Sequence, residues 1–338
     1  MTLRLSVLDQ SPIAEGGSGG QALRNSLDLA RQAEVLGYHR FWMAEHHATP
    51  GLASASPELM LAAAARETAR IRLGTGGVML PHYSPFKVAE SFSMLAGLAP
   101  GRIDLGLGRA PGSDGLTAYA LQQDRGRQVM QDFPQAAAEL LAYFEDDLPA
   151  GHPFAHLART LPGGAETPDV WMLGSSPDSA MLAAALGLPY CFADFIAGAQ
   201  PELTGQYRDA FRPSVRRSAA EAMVALWCIA APSEAEARWL AGSARMMFAH
   251  MMMGQLIAVP HPDVAAAWLA ANPQAAADRP GRRVVVGTPA QCRAGIEAAA
   301  ADYGADEVML VNILYDHVAR VRSYALVAEA FEGRALAA

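Results

Sequence analysis

Lysine is almost missing from this chain. Lys87 is the only one, and arginine supplies the rest of the 26 basic residues, set against 34 acidic ones. A formal net charge of -8, with no run of five or more basic residues, argues against a surface built to neutralise a nucleic-acid backbone. Cysteine is scarce as well. Cys191, Cys228 and Cys292 are odd in number, widely spaced and without a CxxC pair. That pattern excludes a disulfide framework and a cysteine zinc site, and it suits a reducing compartment. HExxH is absent, and no metal is expected. No apolar run reaches membrane-spanning length, because the candidate Met181 to Ala193 is broken by Gly187-Leu188-Pro189. Residues Met1 to Asp9 meet charge too early for a signal peptide. The expectation is a soluble, cytoplasmic protein with neither membrane nor nucleic-acid partners.

What is present in quantity is core-forming material: 51% of residues are hydrophobic and 18% charged, far from a disordered composition. A length of 338 residues suits two average domains or one α/β barrel with insertions. Short β-like runs alternate with amphipathic helical runs. The strands are read at Leu3 to Leu8, Arg40 to Ala44, Arg72 to Leu80 and Ile103 to Gly108, then at Val170 to Leu173, Tyr190 to Phe192, Met223 to Ala230 and Glu307 to Val311. Helices follow each of them, including Gln21 to Leu36, Gly126 to Phe144 and Val318 to Phe331. Ser56-Pro57, Ser84-Pro85, Ser176-Pro177 and Thr288-Pro289 each set a capping hydroxyl before a proline at the first helical position. Ser233 with Glu236, and Thr288 with Gln291, fit a capping box.

Eight strand–helix units predict one domain over residues 1–338, a (β/α)8 TIM barrel with a parallel sheet covered by helices. An open doubly wound sheet is the competitor. Gly106-Leu-Gly-Arg-Ala-Pro-Gly112 lacks the third glycine of a dinucleotide fingerprint and comes at the fourth strand rather than the first. Two segments break the rhythm. Asp146 to Pro168 reads as a long excursion. Arg245 to Arg283 is an insertion before the last unit, carrying Met246-Met247 and Met251-Met252-Met253. It is expected to act as a mobile lid, or else to pack in a helix or dimer interface.

Barrel chemistry collects at the carboxyl ends of strands. Here those ends offer Asp9-Gln10-Ser11, Glu45-His46-His47, Gly76-Gly77 with Met79, Arg109, Gly174-Ser175-Ser176 and Asn312. Adjacent histidines on a strand point to opposite faces, which argues against one chelated metal. Glycines ending the third and fourth strands would let a flat ligand approach the backbone, and Arg109 offers a fork of donors to a phosphate. Ser176, capping the next helix with backbone N–H groups behind it, adds a second anion contact. Asp178 would oppose such an anion unless it points away.

These motifs together resemble the bacterial luciferase-like, flavin-dependent monooxygenase family. The resemblance rests on Phe41-Trp-Met-Ala-Glu-His-His47, Arg72 to Pro81, Gly101 to Arg109, Ser175-Ser176-Pro-Asp-Ser179 and Gly187-Leu-Pro189. It implies a (β/α)8 barrel using reduced FMN and dioxygen to oxidise a small organic substrate through a peroxyflavin, with a separate flavin reductase as partner and a homodimeric assembly. It places Arg109, Ser175, Ser176 and Ser179 at the flavin phosphate. Gly76-Gly77 would form a cis peptide against the ring beside Met79, although a glycine pair also marks an ordinary bulge. His46 would be the catalytic acid or base near neutral pH. Luciferase carries a reactive cysteine where this chain has Gly108, and a glutamate where it has Ser175, which points away from light emission. Two other readings are hydride transfer with the deazaflavin F420 on the same barrel, and flavin carriage without catalysis.

Overall fold

The computed structural model describes residues 3–110, 112, 114–122, 132–276 and 283–331. Ten strands appear among them: β1 Arg4–Asp9, β2 Arg40–Met43, β3 Arg72–Thr75, β4 Val78–Met79, β5 Ile103–Gly108, β6 Asp169–Gly174, β7 Tyr190–Ala193, β8 Ala222–Ala230, β9 Val284–Gly287 and β10 Glu307–Val311. All pairings between them are parallel. β10 pairs with both β1 and β8, so β1, β2, β3, β5, β6, β7, β8 and β10 close into an eight-stranded barrel with helices between the strands.

Two details differ from the sequence reading. The run Arg72 to Leu80 is not one strand. It breaks at Gly76-Gly77, and β4 resumes farther along β5, opposite Leu107 and Gly108. β9 was not expected. It lies outside the closed ring, on the upper half of the nine-residue β8, whose lower half holds β10. The part of the fourth helix assigned to residues 126–131 falls outside the described residues; the described helix is Phe133–Glu145. The capping box at Thr288 forms, and Ser176 forms one that was not expected. Ser233 accepts from Glu236 N–H without the reciprocal bond, and Ser56 and Ser84 make no side-chain cap bond.

Alternation along each strand sorts side chains between two cores. Phe41, Met43, Leu105, Leu107, Val308 and Leu310 face the helices, whereas Trp42, Trp171, Met223 and Met309 fill the barrel. Trp42 and Trp171 meet edge to face at 5.6 Å. Space for them comes from glycine. A Cβ on Gly74 would lie 2.4 Å from Trp42 Nε1, and one on Gly106 would lie 2.1 Å from the Thr75 carbonyl. These two glycines make room for interior packing.

Below the tryptophans the barrel is plugged by charge. Arg40, almost fully buried, pairs with Asp104 at 2.9 Å and Glu307 at 3.0 Å, and stands 4.6 Å over the Trp171 ring. Trp42 Nε1 donates to Asp104 at 2.9 Å. Burial works against the Arg40 charge, but Asp104 and Glu307 outweigh it and hold the guanidinium above its ordinary range. The charge cluster and the packed tryptophans thus fill the amino-terminal half of the barrel interior.

Candidate active site

At the carboxyl ends of the strands, β1 hands over to a turn through Ser11, whose φ of 48° is left-handed. Asp9 accepts from Ser11 N–H at 3.2 Å and from Arg320 Nη1 at 2.9 Å, a buried ion pair that ties the last helix, His317–Phe331, to the end of β1. Asn312, past β10, donates to Ser323 of the same helix at 3.0 Å.

The peptide bond between Gly76 and Gly77 is cis, as the resemblance implies. A Cβ on Gly77 would lie 2.7 Å from the Gly106 carbonyl, so the chain crosses β5 at a distance only glycine permits. Met79 follows. Its Sδ lies 3.1 Å from where a Cβ on Gly108 would stand, so methionine covers the position that holds a cysteine in luciferase.

Glu45, wholly buried just past β2, accepts from Tyr83 Oη at 2.8 Å and Met79 N–H at 2.9 Å and lies 2.7 Å from His47 Nε2. His47 also meets His82 edge to face at 5.9 Å. His46 points elsewhere. Its N–H donates to the Ser54 carbonyl at 2.9 Å, and its enclosed Nδ1 has no hydrogen-bond partner among the described residues. Burial lowers the His46 pKa to about 4, against an upward pull from Glu45 and with a smaller downward push from His47. This corrects the expectation of a group titrating near neutrality: in the absence of a ligand His46 is a neutral imidazole at pH 7.

Across the mouth, Arg109 leaves β5 part-exposed and pairs with Asp178 at 3.1 Å. Asp178 lies in the first turn of the helix Pro177–Ala185, so Arg109 and the Ser176 cap are brought together as expected. Asp178 turns towards the arginine rather than away. Both partners are well exposed, and such a pair contributes only about 0–1 kcal/mol, so an arriving anion displaces it at little cost. Ser175 is half-buried. Ser179 is buried, and its Oγ donates to the Ser176 carbonyl at 2.7 Å and sits 3.1 Å from Tyr190 Oη, so it shapes the helix start.

The insertion reaches this face. The helix Glu234–Met252 carries Met246, Met247, Met251 and Met252 and is capped by Met253, and the last three of these are exposed. Val259 N–H donates to the Ile13 carbonyl at 2.8 Å, Glu15 N–H donates back to the Val259 carbonyl at 2.7 Å, and Ile13 N–H donates to the Gly51 carbonyl at 2.8 Å. Val259 is thereby laced to the loop after β1, and that loop to the one after β2. Positions 277–282, including Pro280, lie outside the described residues.

Sequence reading missed the hub formed by Glu45 and Tyr83. Glu45 carried a signal, an acid directly after the buried run Phe41 to Ala44. Tyr83 carried none.

A barrel plugged by charge at one end, with Arg109 beside a capped helix start and part-buried imidazoles at the other, is the setting in which the comparisons take their meaning. The chain belongs to the luciferase-like monooxygenase family, whose pattern it matches over residues 3–307, and is an oxidoreductase of that family. It is 41% identical over 331 residues to the luciferase-like monooxygenase of Escherichia coli (strain K12), covering 96% of each chain. It is 46% identical over 209 residues to the N-acetyl-S-alkylcysteine monooxygenase of Bacillus subtilis (strain 168), covering 62% of each. Among solved structures, apo-MsnO8 superimposes with a TM-score of 0.89 at 39% identity, covering 98% of both chains. More distant structures share the fold. They include the oxygenating constituent of 3,6-diketocamphane monooxygenase from Pseudomonas putida in complex with FMN (TM-score 0.72, 18% identity, 99% of both chains). An F420-dependent secondary alcohol dehydrogenase is another (TM-score 0.69, 16% identity, 98% of this chain and 99% of that one).

Proposed function

We propose that this chain binds reduced FMN, delivered by a separate reductase, and uses it with dioxygen to oxidise a small organic substrate. The observation that carries the reading is the pairing of an anion cradle, Arg109 with the Ser176-capped helix, with an enclosed and unpartnered His46 Nδ1 at the same mouth. The residues fit the cofactor. Arg109, the Ser176 hydroxyl and the N–H groups at the helix start would hold its phosphate, Ser175 and Ser179 would shape that loop, and Gly76-Gly77 with Met79 would back its ring. Bound reduced flavin supplies the electrons that activate dioxygen. His46, neutral and half-buried, offers one nitrogen to accept a proton or hydrogen bond and the other to donate. The insertion laced over the β1 and β2 loops keeps water out.

Stopped-flow oxidation of reduced FMN by dioxygen, with and without the protein, tests this reading. A rate no different from buffer would sink it. Tighter binding of F420 than of FMN in a parallel titration would shift the reading to hydride transfer, the chemistry named for one structure of the same fold.

Two further outcomes follow from the site. Arg109→Ala should weaken FMN binding by about 1.5–3 kcal/mol, the size of a charge-assisted contact, and leave riboflavin binding nearly unchanged. Equal losses for both would assign Arg109 to the ring or the fold. The segment at 245–276 should gain protection from amide exchange when FMN binds, because a cover laced by a few backbone bonds opens more readily than the barrel. Full protection without FMN would make the segment a static wall.

A further inference from the structure

Glu45 is completely buried, yet none of its three hydrogen-bonding partners is an obligate cation. Such a carboxylate is costly unless hydrogen bonds replace its water. Here they do: a phenol and a backbone amide donate, and an imidazole nitrogen completes the set. We propose that Glu45 is a positioning residue that holds His47 in a single tautomer, with Nε2 protonated and Nδ1 left as the acceptor, and couples that ring to the backbone of β4. This makes His47, beside His46, a second proton-handling group of the site, and in that respect it rests on the flavin reading.

The geometry allows little else. Oε2 is taken by Met79 N–H, which cannot reverse its role as donor. Oε1 takes Tyr83 Oη and His47 Nε2 together. Burial, with Glu45 beside it, holds the Tyr83 phenol well above its ordinary range, so it remains a donor. A ring nitrogen 2.7 Å from an oxygen that already accepts from Tyr83 Oη is placed to donate to it. His47 is also fixed through its main chain, since its N–H donates to the Gly112 carbonyl at 3.2 Å. Exchange of a carboxylate for an amide at such a partner is known to reverse a histidine's tautomer and cripple it.

Glu45→Gln makes the proposal sharp. An amide can satisfy Met79 N–H only with its oxygen, which turns its NH2 towards His47 and Tyr83. His47 Nε2 must then accept, and the proton moves to Nδ1. Nitrogen-15 spectra of histidine-labelled protein without flavin, assigned with His47→Gln, report the tautomer directly. The expected result is Nε2–H in the wild type and Nδ1–H in Glu45→Gln. With it, oxidation of reduced FMN should slow at least tenfold while the FMN dissociation constant stays within about threefold. The proposal is overturned by Nδ1–H in the wild type, by an unchanged tautomer in Glu45→Gln, or by a reversed tautomer with an unchanged oxidation rate. Should Glu45→Gln fail to fold, the wild-type spectrum still decides. Because the spectra need no flavin, failure here is distinct from failure of the flavin reading.

Discussion

Replacing Arg40 by alanine is expected to destabilise the fold by about 3–5 kcal/mol, the loss typical of removing one partner from a buried ion pair. Arg40 is the shared cation of Asp104 and Glu307, both essentially inaccessible to water, and it closes the barrel beneath Trp42 and Trp171. Without it, Asp104 keeps Arg72, and Glu307 keeps Arg4 at 3.4 Å, so the carboxylates are weakened rather than abandoned. The pH dependence should change in a defined direction. Burial alone would raise the Asp104 pKa, but Arg40 and Arg72 outweigh it and lower the value below 3.8. A depressed folded-state pKa stabilises above the unfolded value, and that contribution is lost as pH falls through the folded one. In Arg40→Ala the depression shrinks, so acid unfolding should begin at higher pH than in the wild type. Urea titrations at pH 7 and pH 4 would measure both effects. Equal midpoints for the two proteins would show that the plug contributes nothing.

His46→Gln should slow turnover about 10²–10⁴-fold at saturating flavin, the range for loss of a proton-transferring group. The FMN dissociation constant should move far less. The acid limb should also be informative. With its pKa lowered to about 4 by burial, His46 stays neutral until well below neutrality, so activity should decline near pH 4 rather than near 6.5. Stability carries the same sign. Between about 6.5 and 4 the unfolded chain takes up a proton at His46 that the folded chain refuses, so the wild type should lose stability as pH falls through that window. His46→Gln, with no imidazole there, should lose less. If flavin affinity fell in parallel with turnover, His46 would be a binding residue.

Much of the barrel was legible because its signals are local. Apolar runs separated by Ser-Pro and Thr-Pro helix starts report a βα alternation wherever they occur, and eight of them imply closure. β9 escaped because four residues after a proline-rich stretch are too few to show a period. The break at Gly76-Gly77 was visible as glycine, but whether a pair of glycines bends a strand or splits it depends on the strand alongside. The packing role of Gly74 and Gly106 was hidden, because Trp42 and the Thr75 carbonyl lie on strands remote in sequence.

The site divides in the same way. Arg109, Ser176 and the Glu45-His46-His47 run stand out because strand ends and helix starts are local positions whose backbone exposure follows from the chain itself. Whether each side chain is free to act is not local. Asp178 meeting Arg109 across 69 positions, Tyr83 meeting Glu45 across 38, and burial moving the His46 pKa to about 4 all arise when the ring closes. Local sequence thus determined where the strands end and which chemistry they offer. Only the tertiary structure decided which groups are paired and which are left open, because pairing and desolvation depend on distances the chain acquires when β10 meets β1.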